Sequence, residues 1–355
     1  MRLRRREILC SALLGSTAGG AQSFVSTDLS WHGVEAGSLR HVDLQVPAGV
    51  DAGTFIPATI FRGLRAGPVL SITAGVHGYE FPPILAAQRL LKSLSPELLS
   101  GTVLLVRIAH IPAFQRRSLF FNPIDGKNLN RVFPGRADGT QSERIADVIS
   151  REVIARADLH IDLHAGDGSE DLSPYVGVYG GLLAREQLAK SKLMGLAFGF
   201  PVAVLYRMET RQQVDGGRSC NRQAVAGGKP TLLVEMGAAG RRDEKWVAGI
   251  ENGVLNALRA LGMLPGSPSE AAAPIWCDGE RSVVSEHAGI LYPAAAAGQQ
   301  VRAGQVLARV TDFTGSLLRE YISPADGVVL QLQAAPPISP GEGIATVAPF
   351  LKGAP

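Results

Sequence analysis

Four short stretches of this chain concentrate imidazole, carboxylate and guanidinium groups at spacings suited to metal-assisted hydrolysis. In Gly75-Val76-His77-Gly78-Tyr79-Glu80 a histidine and a glutamate lie three residues apart where the backbone must turn, between an apolar run and the helix signal at Pro82. Such a pair can converge on one ion, and the small Gly78 permits tight folding there. Taken alone, the spacing also suits a solvated loop with a surface ion pair. In His160-Ile161-Asp162-Leu163-His164 apolar and polar residues alternate, and His164 falls at the end of a strand. His77, Glu80 and His164 would complete the set of two histidines and one carboxylate found in catalytic zinc sites, which keep one position open. Asp162, two residues earlier, shares the face of His164 and can orient it from behind. His160 has the same placement and serves equally well as a structural histidine.

The third stretch, Thr231-Leu232-Leu233-Val234-Glu235-Met236-Gly237, is an apolar run that ends in a carboxylate. Burying Glu235 there without a partner or a purpose would be costly. Beside activated water, it can move a proton as general base and then general acid. An ion pair with an arginine at the sheet edge is the structural alternative. The fourth stretch runs from Asn122 to Gly135 and includes Pro123-Ile124-Asp125-Gly126 and Asn128-Leu129-Asn130-Arg131. It is too rich in Asn, Gly and Pro for regular structure. Asn130 and Arg131 together offer forked donors suited to a substrate carboxylate.

These groups need a scaffold that brings distant loops together, and the pattern from Pro68 onward supplies one. Strand-like runs at Val69–Ala74, Thr102–Ala109, Leu159–Leu163, Val202–Tyr206 and Thr231–Val234 alternate with helical stretches at Pro82–Leu94, Ser142–Ala157, Ala184–Phe198 and Glu244–Leu261. The alternation predicts an α/β fold, a largely parallel sheet flanked by helices. In such a sheet the C-terminal strand ends share one rim, and the first three stretches all sit at such ends. Residues 265–275 have linker composition, and from 276 to 355 short β-type runs are cut by Gly and Pro turns. The division predicted is a catalytic domain over residues 32–264, a linker, and a small all-β sandwich or barrel over residues 276–355.

The formal charge of +3 comes from the N-terminus: beyond residue 21 the charges balance at 31 against 31. A balanced chain without basic runs gives no reason to expect nucleic-acid binding. Residues 1–21 themselves read as an export signal, with arginines, the apolar run Ile8 to Ala18, and Gly19-Gly20-Ala21 before a cleavage point at Gln22. The 11-residue run is short for a bilayer, which needs about 20, so no stable membrane insertion is expected. Arg5-Arg6 resembles the twin-arginine signal, pointing to a periplasmic protein. Cys10 leaves with the signal. Cys220 and Cys277 then remain, distant in sequence; an oxidising compartment permits a disulfide between them, but two reduced, unrelated thiols are the expectation, neither with a metal-binding partner near it in sequence.

Taken together, the four stretches resemble the succinylglutamate desuccinylase and aspartoacylase family, relatives of the zinc carboxypeptidases, over roughly Pro68 to Leu261; the C-terminal part looks like that family's β domain. The resemblance implies one zinc per chain on His77, Glu80 and His164, with Glu235 as catalytic base and Asn130 and Arg131 on the substrate carboxylate. It implies a deacylase in which water, activated by the metal and Glu235, adds to the amide carbonyl of an N-acyl amino acid. Many members carry a further arginine between an Ala-Phe pair and the Pro-x-Asp-Gly turn, where it stabilises the oxyanion. Here Leu119 takes that place, and Arg117, or Arg116, is the candidate substitute.

Two other functions share parts of this pattern. A carboxypeptidase acting on peptides would use the same zinc set and clamp, and a metal-free binding protein would have lost ligands that are intact here. Ser323-Pro324-Ala325-Asp326-Gly327 resembles the hairpin of biotinyl and lipoyl carriers, but the only lysine beyond the linker is Lys352. The expected partner is a small-molecule substrate, and the sequence leaves room for a homo-oligomer.

Overall fold

The computed structural model describes residues 22–353, so the stretch read as an export signal lies outside the described residues. The chain runs through β1 (Phe24–Ser26), β2 (Ser38–Val46), β3 (Thr54–Arg62), β4 (Arg65–Ala74), α1 (Phe81–Ser93), β5 (Ser100–Val106), α2 (Ile111–Arg116), α3 (Gln141–Ile149), β6 (Leu159–His164) and β7 (Glu170–Leu172). It continues through β8 (Tyr175–Gly180), α4 (Arg185–Phe198), β9 (Val202–Arg207), α5 (Arg211–Asp215), α6 (Cys220–Ala226), β10 (Thr231–Glu235), α7 (Glu244–Ala260) and β11 (Ile275–Asp278). Ten of these strands form one sheet in the order β1-β2-β3-β5-β4-β6-β10-β8-β9-β11. Its centre, β5-β4-β6-β10, is parallel throughout.

The apolar runs explain that centre. All six residues of β6 are buried, as a strand covered on both faces requires. On one face α1, α4 and α7 bring Leu90, Met194 and Val254 into the cluster that holds Ile72, Leu163 and Leu232. On the other, α3 and α6 bring Ile145 and Ala224 against Ile56, Leu104 and Val106. Thr140 and Glu143 form a capping box that starts α3, and a wide turn over Ser150–Ile154 replaces the α-helix expected to run on to Ala157. The antiparallel strands β2 and β3 were not among the expected elements. Along β2 only Val42, Leu44 and Val46 are buried, so it lacks the continuous apolar run by which a doubly covered strand announces itself.

The C-terminal part is two antiparallel sheets. One has β12 (Arg281–Val284), β19 (Gly343–Pro349), β17 (Gly327–Gln333) and β14 (Gln300–Val301); the other has β16 (Leu317–Ile322), β15 (Val306–Thr311), β13 (Gly289–Pro293) and β18 (Pro337–Ile338). Leu307, Val310, Val329, Ile344 and Val347 fill the space between them. The parts interlock at two places. The strand β11 pairs with β9 and so belongs to the large sheet, although most of it falls within residues 276–355; a short apolar run carries no mark of which sheet will take it. The short β7, from the loop after β6, pairs with β17. No helix among the described residues is long and apolar enough to cross a membrane.

Candidate active site

Strand register assembles the rim. Leu163 lies beside Ala74, and Glu235 lies beside His164, so β4, β6 and β10 end side by side. From the end of β4 the chain turns at Gly75, whose φ of 71° disfavours a side chain, and carries His77 back over the rim. Gly78 packs against α2 so closely that a Cβ would sit 2.3 Å from the Ala113 carbonyl carbon. Gly78→Ala is therefore expected to destabilise the fold by about 1–3 kcal/mol and to displace the His77 loop. A lowered thermal midpoint together with weaker metal retention on dialysis would show it.

Glu80 precedes α1 but does not cap it; its carboxylate faces the rim instead. One oxygen lies 2.5 Å from His77 Nδ1, and the other lies 2.9 Å from His164 Nδ1 and accepts from the Ala165 amide. The opposite ring nitrogens also meet oxygens: His164 Nε2 is 3.0 Å from Asp162 Oδ2, and His77 Nε2 is 3.3 Å from Asn128 Oδ1. Each imidazole thus presents Nδ1 to the shared carboxylate and turns Nε2 to an oxygen on the far side. Burial alone would raise the Glu80 carboxyl, but the charges of His77 and His164 hold it down at about 2. Burial works to discharge His164, while the Asp162 and Glu80 carboxylates prevail and keep its proton bound well above the ordinary histidine range.

A divalent cation fits this set. The ligand atoms of His77, Glu80 and His164 all lie within 4.8 Å of one another, and the outward Nε2 bonds are the orienting contacts that metal-binding histidines make. A cation there would displace the proton that His164 now shares with Glu80, so its binding should release it.

The three side chains open into a cavity of about 490 Å³. Glu235 and Glu170 stand on its wall, with Asn130, Arg131, Asn221 and Arg222. Burial raises the Glu235 carboxyl; the positive His164 opposes this, and the carboxylates of Glu80, Glu170 and Asp162 add to it, leaving it well above the carboxylate range. Glu170, half-buried beside Asp167, is pushed up to about 8 by loss of solvent and then by the Asp167 charge. It is held by the Asp167 amide and by Gln331 of β17, so the β part supplies one wall of the cavity.

Residues 66–261 match the family model of the succinylglutamate desuccinylase/aspartoacylase catalytic domain. The chain belongs to that family. It is a family of deacylases acting on small molecules. The N-α-acetyl-L-2,4-diaminobutyric acid deacetylase of Halomonas elongata is 33% identical over 332 residues, covering 90% of this chain and 94% of that protein. Among solved structures, the product-bound ectoine utilization protein of Ruegeria pomeroyi superposes with a TM-score of 0.78 at 28% identity, covering 88% of this chain and 95% of that one. A succinylglutamate desuccinylase/aspartoacylase from Rhodobacter sphaeroides shares the fold, with a TM-score of 0.79 at 24% identity over 89% of this chain and 96% of that one.

Within this desuccinylase/aspartoacylase scaffold, His77, Glu80, His164, Glu235, Asn130 and Arg131 all reach one cavity. Arg117 does not. It ends α2 in a left-handed conformation with φ of 53°, is exposed and lies outside the cavity lining, so the structure does not bring this candidate together with the others. Arg222, at the start of α6, lines the cavity where Arg117 does not. Its sequence signal was Ser219, which caps α6 by accepting from the Arg222 amide, but a cap alone does not show which cavity a helix faces. Asn128 was visible as part of the Asn-Leu-Asn-Arg run, though its contact with His77 was not. Glu170, from the loop after β6, and Gln331, from the β part, carried no motif at all.

Proposed function

We propose that this chain is an exported zinc-dependent deacylase that hydrolyses the amide bond of an N-acyl amino acid or a similar small carboxylate. The observation that carries this reading is the placement of Glu235, next to His164 across the strand pair and on the same cavity wall as the two-histidine, one-carboxylate set. Zinc held by His77, Glu80 and His164 supplies Lewis acidity, polarising a carbonyl oxygen and making water acidic enough to ionise near neutral pH. Glu235 takes the proton of the attacking water and returns it to the leaving nitrogen, a role favoured by its raised proton affinity. The Asn130 side-chain oxygen is occupied by the Cys220 amide, which leaves its NH₂ as the group to offer a substrate. Arg131 stands beside it on the cavity wall; Nη1 donates to the Asn130 carbonyl at 2.8 Å, which leaves the rest of the guanidinium for a substrate carboxylate. The named activity of the Halomonas relative supports an N-acetyl group on an amino acid as the first substrate class to try.

The test is to load the protein from Gln22 onward with zinc and offer N-acetyl amino acids, including N-acetyl-diaminobutyrate, beside dipeptides and esters. Release of acetate together with the free amino acid is expected. Cleavage of dipeptides alone would make it a carboxypeptidase, and no cleavage by the loaded protein would overturn the proposal. Arg131→Ala is expected to raise KM roughly 10- to 100-fold with a smaller change in kcat, because a charge-assisted clamp contributes about 1.5–3 kcal/mol. Arg131→Lys should recover only part of that loss, as a point charge lacks the forked geometry. Export is tested separately: changing Arg5 and Arg6 to lysine is expected to hold the protein inside the cell, measured by fractionation.

A further inference from the structure

Beneath His164 a second group of potential ligands converges. His160, Asp162 and Cys220 are fully buried, and their ligand atoms lie within 4.8 Å of one another. Cys220 Sγ is 3.7 Å from His160 Nε2. Zinc–sulfur and zinc–nitrogen bonds of about 2.3 and 2.0–2.1 Å at a tetrahedral angle would set these atoms about 3.6 Å apart. The His160 ring is also set in the right tautomer. Ser71 Oγ donates to the Leu159 carbonyl, so it accepts from His160 Nδ1 at 2.8 Å, which leaves the Nε2 lone pair turned to the sulfur.

Asp162 supplies the third arm. Its Oδ2 is engaged by His164 Nε2, while Oδ1 is buried without a hydrogen-bond partner, and so is Oγ1 of Thr73, its neighbour across the β4–β6 pair. The thiol of Cys220 faces them, and a thiol is a weak donor. A buried carboxylate oxygen left in that state is costly. Three donors of imidazole, carboxylate and thiolate type suit a borderline-soft divalent ion, and thiolate plus carboxylate would neutralise its charge in a dry interior.

We infer that His160, Asp162 and Cys220 form a second, wholly buried site for a divalent cation of the zinc class, joined to the rim site through Asp162. Binding there exchanges the Cys220 thiol proton for the metal–sulfur bond, with the proton released to solvent. The site ties β6 to α6. Cys220 opens that helix, its amide donates to Asn130 Oδ1 at 2.8 Å, and Asn221 and Arg222 follow it into the cavity wall. A cation on Cys220 therefore fixes the residues on the substrate side of the cavity relative to the residues of the rim.

The test is to produce the full chain in zinc-depleted medium supplemented with cobalt, so that the ion can enter as the protein folds. Two cobalt ions per chain and an intense near-ultraviolet thiolate-to-cobalt band are expected. The band should survive His77→Ala, which disables only the rim, and vanish in Cys220→Ala together with one equivalent of metal. The wild-type spectrum alone decides the matter should Cys220→Ala fail to fold. Bound cobalt without a thiolate band overturns the inference and leaves the group as a hydrogen-bonded core. One equivalent with the band retains it and counts instead against the rim site, which contains no sulfur.

Discussion

Glu235→Gln is expected to lower kcat roughly 100- to 10,000-fold while zinc content and KM stay near those of the unaltered protein. Glutamine keeps the shape and one acceptor oxygen but cannot take up a proton near neutral pH. Because Glu235 is not one of the three converging ligands, the metal set should survive the change. The residue ends β10 with the four positions before it buried, and its carboxylate lines the cavity together with Leu233, so little packing depends on its charge. Metal analysis beside steady-state kinetics on an N-acetyl amino acid measures both quantities. Full activity in the variant would remove Glu235 from the mechanism, whereas loss of zinc would make it a ligand rather than a base.

The second large effect belongs to the histidines. Changing His77 and His164 together to alanine is expected to abolish rim binding of zinc and with it essentially all turnover, since one carboxylate cannot hold the ion alone. Elemental analysis against the unaltered protein checks this. Asp162 gives a graded companion result: Asp162→Asn keeps the hydrogen-bond acceptor but removes the charge behind His164 Nε2, and an orienting group of this kind is worth about 10- to 100-fold in metal affinity. With the buried group of His160, Asp162 and Cys220 also loaded, zinc should fall by one equivalent and not to zero; no fall at all would mean that the rim does not hold the ion.

Much of this was legible along the chain because it depends on local pattern. Apolar runs such as Val69–Ala74 and Thr231–Val234 mark strands that must be covered on both faces, and a polar residue at the end of such a run, His164 or Glu235, has only the rim to occupy. His77, Glu80, His164 and Glu235 could be singled out from their positions at or just beyond strand ends, and the structure brings all four to one cavity. Side-chain alternation placed Asp162 on the face of His164, and their hydrogen bond bears this out.

The remaining features arise from pairings between segments remote in sequence, which local pattern does not encode. Nothing near Cys220 in sequence marks it as a ligand; it meets His160 across 60 residues because α6 lies over β6. Arg222 carried no mark in the sequence to set it beside Arg117, and only the fold leaves Arg117 exposed at the end of α2 while α6 carries Arg222 to the cavity wall. Gln331 reaches Glu170 across 161 residues because β7 pairs with β17. Periodicity reports which face of an element is buried, and only the packing of one element on another determines which side chains meet there.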